Sequence, residues 1–281
     1  MNTETSVAPL ASFEAKWTEA RPELALALRF EREDEREARA AFACLVLEIE
    51  HAAFGIREAQ PAAIKLQWWA EELARAAKGE ARHPLTQALA TRIATAAIPQ
   101  RQWHAAIIGA MAQRDPEPAA DREALLAGYA QLHEPLGVLE ATLFGTDATA
   151  VAGALAISRA LRETAALPDA LRDGKLPLPL DVLARHRLAR GDLGAESAAR
   201  ADALREWFGE LASGMSALLA PQALAQRPLG ILRAAMAAAD AKRLATAANA
   251  GEPLAAMNVV LAGLSIPIVW AAWRAAHRSR R

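Results

Sequence analysis

The sequence predicts an all-α fold, and three observations carry that expectation. Alanine runs are frequent, while aromatics make up only 5% of the chain and valine and isoleucine are sparse. Alanine loses no side-chain entropy in a helix, whereas β-branched residues do. No segment alternates apolar and polar residues for long enough to argue a strand, and apolar residues instead recur at helical spacing almost throughout. With 281 residues, 53% of them hydrophobic, the chain can bury a sizeable core. No repeat and no long Gly/Ser linker divides it. It reads as one helical domain over residues 1–281, with 1–9 expected to be flexible and 274–281 a basic tail.

Helical periodicity covers 10–29, 36–54, 62–78, 84–97, 100–113, 121–145, 149–166, 196–220, 229–249 and 254–277. After the first segment comes "RFEREDEREAR" at 29–39, a run of both signs that reads as a solvated helix start laced with i,i+4 ion pairs. The later breaks fall at turn formers: Pro61, Gly79 with Pro84, Pro99, "RDPEP" at 114–118, Gly145 and Pro221. Only "LPDALRDGKLPLPLDVL", residues 167–183, resists helix. Pro168, Pro177 and Pro179 with Gly174 predict an extended connection there. A loop of that length inside a helical domain is where function is commonly carried.

The last segment differs in kind. From Pro253 to Trp273 no residue is charged, a run of about the 20 residues that span a bilayer, and "RAAHRSRR" follows. Asn258, Gly263, Ser265 and Pro267 interrupt it. The expectation is a helix that is buried or touches a membrane surface, with Trp270 and Trp273 placed beside basic residues. At the other end, "MNTETSVAPLASFEAKW" contains acids and no apolar core segment, so no signal peptide is expected.

Composition also excludes function classes. A net charge of −1 gives no overall pull toward nucleic acid. The single Cys44 cannot form an internal disulfide, and no Cys/His spacing suggests zinc. A reducing, cytoplasmic setting fits best, with peripheral contact to the inner face of a membrane through 253–281 kept open.

Two stretches hold candidate site residues. In 41–54, Phe42, Leu45, Val46, Ile49 and Ala53 form one face, while Cys44, Leu47, Glu48, His51 and Phe54 spread over the other. Such a helix is either buried all round or lines a cavity. Glu48 and His51, three apart, lean the same way, and Glu50 points elsewhere. They could face a cavity, hold a metal, or bond each other. In "KLQWWAEEL", residues 65–73, Trp68 and Trp69 point about 100° apart. One tryptophan can serve the core and the other a cavity lining or a neighbouring helix. A Glu-x-x-His pair at Glu48/His51 and another at Glu80/His83 raise a di-metal carboxylate bundle as a further reading, although Gly79 and Pro84 bracket the second pair. His104, His133, His186 and His277 have no partner at ligand spacing.

Taken in order, "AAFACLVLEIEHAAF" (40–54), "IKLQWWAEELARAAKGEARHPLTQAL" (64–89), "YAQLHEPLGVLEATLFG" (129–145) and "GALAISRALRETAALPDALRDGKLPLPLDVL" (153–183) resemble the squalene and phytoene synthases. The resemblance spans residues 24 to 190 and is loose in the tail. It implies an isoprenoid-synthase-like helical bundle around a central apolar cavity. It also implies head-to-head joining of two prenyl diphosphates, with Mg2+ held by aspartates on two facing helices.

The chain departs from that pattern at the acids. Where the first aspartate motif would lie it has Leu47, Glu48 and His51. In the second, Arg159 stands at a polar or acidic position, Arg162 matches an arginine, Glu163 replaces an aspartate, and Leu167 stands where another acid is expected. Asp169 and Asp173 are displaced into the loop, where Gly174, Lys175 and "LPLP" keep the family form. Arg159 and Glu163, at i,i+4, can pair with each other. The resemblance is therefore to a degenerate branch, similar to the phytoene-synthase-like assembly factor of respiratory complex I. Such a member binds an isoprenoid, another lipid or a protein partner, with Arg159 and Arg162 holding an anionic head group directly. No cofactor is then expected. An active prenyltransferase using Mg2+ is the alternative.

Overall fold

The structure, a computed structural model, describes residues 9–114, 116–260 and 266–278. Among the described residues there is no strand. The expectations of a flexible 1–9 and a basic tail to 281 fall largely outside this range.

The expected first helix is two, α1 (Pro9–Ala20) and α2 (Pro22–Leu28), because Pro22 cannot donate a backbone hydrogen bond and starts a new helix. Helix α3 (Glu33–Glu50) follows and loosens into a π-helical turn, His51–Gly55. Next come α4 (Ala59–Ala76), α5 (Pro84–Ala88), α6 (Ala90–Ala96) and α7 (Gln100–Ala112). The long pair α8 (Arg122–Phe144) and α9 (Ala148–Ala165) is joined at Gly145, whose φ of 71° closes α8 in the left-handed conformation. Asp121 and Asp147 cap the two helices, accepting from Ala124 N at 2.9 Å and Ala150 N at 2.7 Å.

Two glycines set how closely this layer packs. A Cβ on Gly109 of α7 would lie 2.1 Å from the Gln131 carbonyl oxygen of α8, and one on Gly137 of α8 would lie 2.4 Å from that of Ala148 in α9. Only glycine permits these backbone crossings.

The connection expected to be extended over 167–183 contains two short helices, α10 (Leu167–Arg172) and α11 (Leu180–Arg185). Pro168 and Pro179 start them rather than prevent them: Pro168 occupies the first turn of α10 and Pro179 is the N-cap of α11. A 3-10 turn at Arg190–Gly194 leads to α12 (Ala198–Leu219), α13 (Pro221–Gln226), α14 (Ile231–Ala248), α15 (Pro253–Val260) and α16 (Ile266–Arg278). Of the helix expected over 254–277, α15 and α16 are described and 261–265 lie outside the described residues. No helix among the described residues is long and apolar enough to cross a membrane.

Helix α14 is the axis of the fold. It packs against α2, α9, α12, α15 and α16, and its alanine-rich run 234–239 lets them approach closely. The run 29–39 is in large part the solvated helix start expected, with Arg29, Arg32, Glu33, Asp34, Arg36 and Glu37 exposed and Arg39 paired with Glu35 at i,i+4, but its inner edge is buried. Glu31 is buried, and Arg39 lies over the Phe144 ring at 4.8 Å while pairing with Glu35 at 2.7 Å and Glu31 at 3.3 Å.

The two tryptophans divide their work. Trp69 is 1% exposed and fills the core; Trp68 is 39% exposed and meets Trp69 edge-on at 4.9 Å and His83 at 5.4 Å. Neither lines the central cavity. Glu72, just beyond them, is buried and accepts from Arg82 N, His83 N and Thr86 Oγ1. It pins the turn that Gly79 makes.

Candidate ligand cavity between the helices at 50 and 160

A hollow of about 770 Å³ opens between α3 with its π-turn, α9, α14 and the segment 168–175. Helix α3 contributes the stripe Leu47, Glu50, His51 and Phe54, which is the i, i+3, i+4, i+7 pattern of one helix face. Glu48 is not on it. Its carboxylate is buried, accepting from Lys16 Nζ at 2.5 Å, Lys65 Nζ at 2.8 Å and Trp17 Nε1 at 3.2 Å. Burial alone would raise the Glu48 carboxyl, but the two lysines outweigh it and hold it below the usual value. Of the pair expected to look together into the cavity, His51 lines it and Glu48 does not. Those lysines, on α1 and α4, claim the glutamate. The His51 ring leans over Gly55, where a Cβ would stand 2.4 Å from Nδ1.

Glu50, expected to point elsewhere, is the α3 acid that faces the hollow. It is buried against His133 of α8, with Nε2 and Oε1 3.0 Å apart. Burial would raise its carboxyl, yet the His133 hydrogen bond and charge, with Arg159 and Arg233, hold it lowered. His133 was missed in the sequence because its partner lies 83 residues away.

From α9, Arg159, Arg162 and Glu163 all reach the hollow. Arg159 pairs with Glu163 at 2.6 Å, as the i,i+4 spacing suggested, and its guanidinium lies over the Phe54 ring at 4.3 Å. Arg162 donates to the Ser158 carbonyl at 2.7 Å and stands 3.8 Å from Asp240. Asp169 and Asp173 line the rim, where both meet Arg57, at 3.1 and 3.4 Å. Lys175 lines the same rim.

The deepest part of the wall was not anticipated. Asp240 of α14, fully buried, accepts from Ser158 Oγ at 2.5 Å, Arg243 Nη1 at 2.7 Å and Arg21 Nη2 at 3.3 Å. Glu23 bridges behind it, accepting from Arg21 Nε at 2.5 Å and Arg243 Nη1 at 3.0 Å. The signal was readable: "RAAMAAADAKR" sets Arg233, Asp240 and Arg243 in an otherwise apolar helix, and a buried charge must have partners.

Arg21 is 5% exposed, lines the hollow, and keeps one nitrogen, Nη1, without a partner among the described residues. Arg159 Nε is in the same condition. Burial would lower the Arg21 pKa, but Asp240 and Glu23 raise it, so the group stays a cation. The hollow thus has apolar walls at Leu47, Phe54 and Leu161 and a floor of guanidinium groups.

A second hollow of about 520 Å³ shares Phe54, Glu163 and Lys175 with the first. Its walls are mainly apolar, with Leu125, Tyr129, Leu176 and Pro177 among them. The two hollows therefore adjoin at Phe54, and the second also carries Gln113, Glu117, Gln131, Glu163 and Lys175 among its apolar side chains.

Mg2+ requires several carboxylate oxygens free to converge at about 2.0–2.1 Å. Here Glu50 is bonded to His133, Glu163 to Arg159, Asp240 to two arginines and a serine, and Asp169 and Asp173 to Arg57. Among the described residues no group of three or more His, Cys, Asp or Glu side chains is gathered to hold a metal. These residues do not fit the ion. The di-metal reading fails separately, because His83 is the N-cap of α5 and meets Phe13, Trp68 and Trp69 edge-on, while Glu80 lies in the connection before that helix.

Residues 18–261 match the family model described as squalene/phytoene synthase, so the likeness extends well beyond the 24–190 read from motifs. The squalene synthase HpnC from Alicyclobacillus acidocaldarius superposes with a TM-score of 0.59 at 16% identity, covering 97% of this chain and 93% of that one. A dehydrosqualene synthase in complex with a ligand gives 0.71 at 10% identity, covering 97% and 96%. At these identities the two structures speak for the fold. No curated protein sequence matches the chain.

Proposed function

Because the chain belongs to the squalene/phytoene synthase family, we propose that it keeps the family scaffold as a binding protein for an anionic-headed isoprenoid or related lipid. The head group is held by arginines directly, and the metal-dependent loss of diphosphate is absent. The observation that supports this most is the state of the floor. Every carboxylate that lines the hollow is already bonded to a cation or to His133, while Arg21 Nη1 and Arg159 Nε have donors to spare.

Guanidinium groups are suited to that task because their planar N–H pairs match phosphate and carboxylate oxygens. Arg21, held between Asp240 and Glu23, is oriented before any ligand arrives, so little side-chain entropy is lost on binding. An apolar tail entering past Phe54 would lie along Leu125 and Leu176 in the second hollow, where burial contributes in proportion to area.

The test is calorimetric titration of farnesyl diphosphate, with Mg2+ and again in EDTA. Binding is expected to survive chelation, with affinity changed by less than about threefold. Arg21→Gln should weaken it by about 10- to 100-fold, the size of a lost charge-assisted hydrogen bond. Since Arg21 also neutralises Asp240, Arg159→Gln is the companion variant, with a loss of about tenfold. Binding that needs Mg2+ and ignores both arginines would refute this reading.

A further inference from the structure

Helix α16 carries a surface that the central cavity does not explain. Its inner side, Ile268, Ala271, Ala272, Ala275 and Ala276, is buried and packs toward α14 and α2. Its outer side shows Val269 at 39%, Trp270 at 52% and Trp273 at 39% exposure. The two indoles are held parallel, 4.8 Å apart with 19° between planes, and the His277 ring stacks on Trp273 at 4.6 Å. Arg274 lies 5.7 Å from the Trp270 ring centre.

Residues 266–281 contain four arginines, at 274, 278, 280 and 281, and no acid, in a chain whose net charge is −1. Exposed tryptophan beside arginine is what the boundary of a bilayer favours, because an indole is apolar with one polar N–H and an arginine stem can lie among acyl chains with its head at the phosphates. We infer that the outer face of α16, centred on Trp270 and Trp273, docks the protein on a membrane surface bearing anionic lipid.

Charge selects that occupant over a second copy of the chain. Two such faces would bring like charges together, and one 13-residue helix, roughly 20 Å long, offers far less than the ~800 Å² per partner of a stable dimer. No helix among the described residues is long and apolar enough to cross a membrane, so in the docked state the outer face of α16 lies in the interface. The inference is independent of what the cavity holds.

The experiment is co-sedimentation of the full-length chain with vesicles of phosphatidylcholine alone and of phosphatidylcholine with phosphatidylglycerol, at low and physiological salt. Binding is expected on the anionic vesicles, weakening as salt screens the arginines. Trp270→Ala/Trp273→Ala should reduce the bound fraction about tenfold or more. Gln at 274, 278, 280 and 281 should remove the preference for anionic lipid. Because Trp270 and Trp273 are exposed, the tryptophan variant is expected to keep the helical circular-dichroism signal and melting point of the parent, and the same check is made on the glutamine variant. Equal sedimentation with either vesicle, none with either, or undiminished binding by the double tryptophan variant would each overturn the inference. So would a dimer by light scattering that the tryptophan variant dissolves.

Discussion

Glu48 and Asp240 are both carboxylates sealed inside this protein, yet their surroundings differ in a way that separates architecture from binding. Glu48 is met by Lys16 and Lys65, whose stems run out to solvent with 49% and 34% of the side chain exposed. Every donor there is used or wet, and Glu48 itself does not line the hollow, although its partner Trp17 does. Asp240 and Glu23 are met by Arg21 and Arg243, both buried, with Arg162 close by. Cations outnumber acids on that side, and one guanidinium nitrogen is left over beside a hollow. A closed ion cluster ties helices together. On the proposed reading, a buried cluster with a surplus cation at a cavity wall is what meets an anionic ligand.

The sharpest way to break this comparison is Asp240→Asn. It leaves Arg21 and Arg243 buried with one acid between them, and about 3–5 kcal/mol of stability should be lost in urea denaturation. A loss below about 1 kcal/mol would mean the cluster is more open to water than its burial indicates. Glu31 gives the converse case, an acid with too few cations. It is buried, has one oxygen without a partner among the described residues, and burial pushes its carboxyl up to about 7 despite Arg39. A raised carboxyl binds its proton more tightly folded than unfolded, so stability falls as pH rises from about 4.5 and levels off above 7. Glu31→Gln should therefore gain on the parent across that window, by on the order of 3 kcal/mol, as read from paired melts at pH 4.5 and 8. The smallest effect belongs to Glu48→Gln: about 1–2 kcal/mol, since its lysines can return to water, with no change in ligand affinity. A large loss of affinity there would put Glu48 back at the site.

The sequence made the helices legible because alanine content and spacing act locally. It also made the Arg159–Glu163 pair legible, since four residues on a helix fix a neighbour without reference to the rest of the chain. What it hid was the choice between Glu48 and Glu50. Both sit on a helix apolar on every side, and only the placement of Lys16 and Lys65 decides which one turns inward. His133 with Glu50, and Arg21 with Asp240, are joined across 83 and 219 residues. Tertiary packing alone brings such pairs together. Pro168 and Pro179 misled for a different reason, because a proline that ends one helix also starts the next.

The measurement that bears most directly on the central claim is pyrophosphate release from farnesyl diphosphate by the purified chain in the presence of Mg2+, on a sample shown to bind that ligand. Binding without release above the protein-free rate is the expected result. Mg2+-dependent release that disappears in Glu163→Ala would contradict it, and would show that an arginine-paired glutamate still serves the family's chemistry.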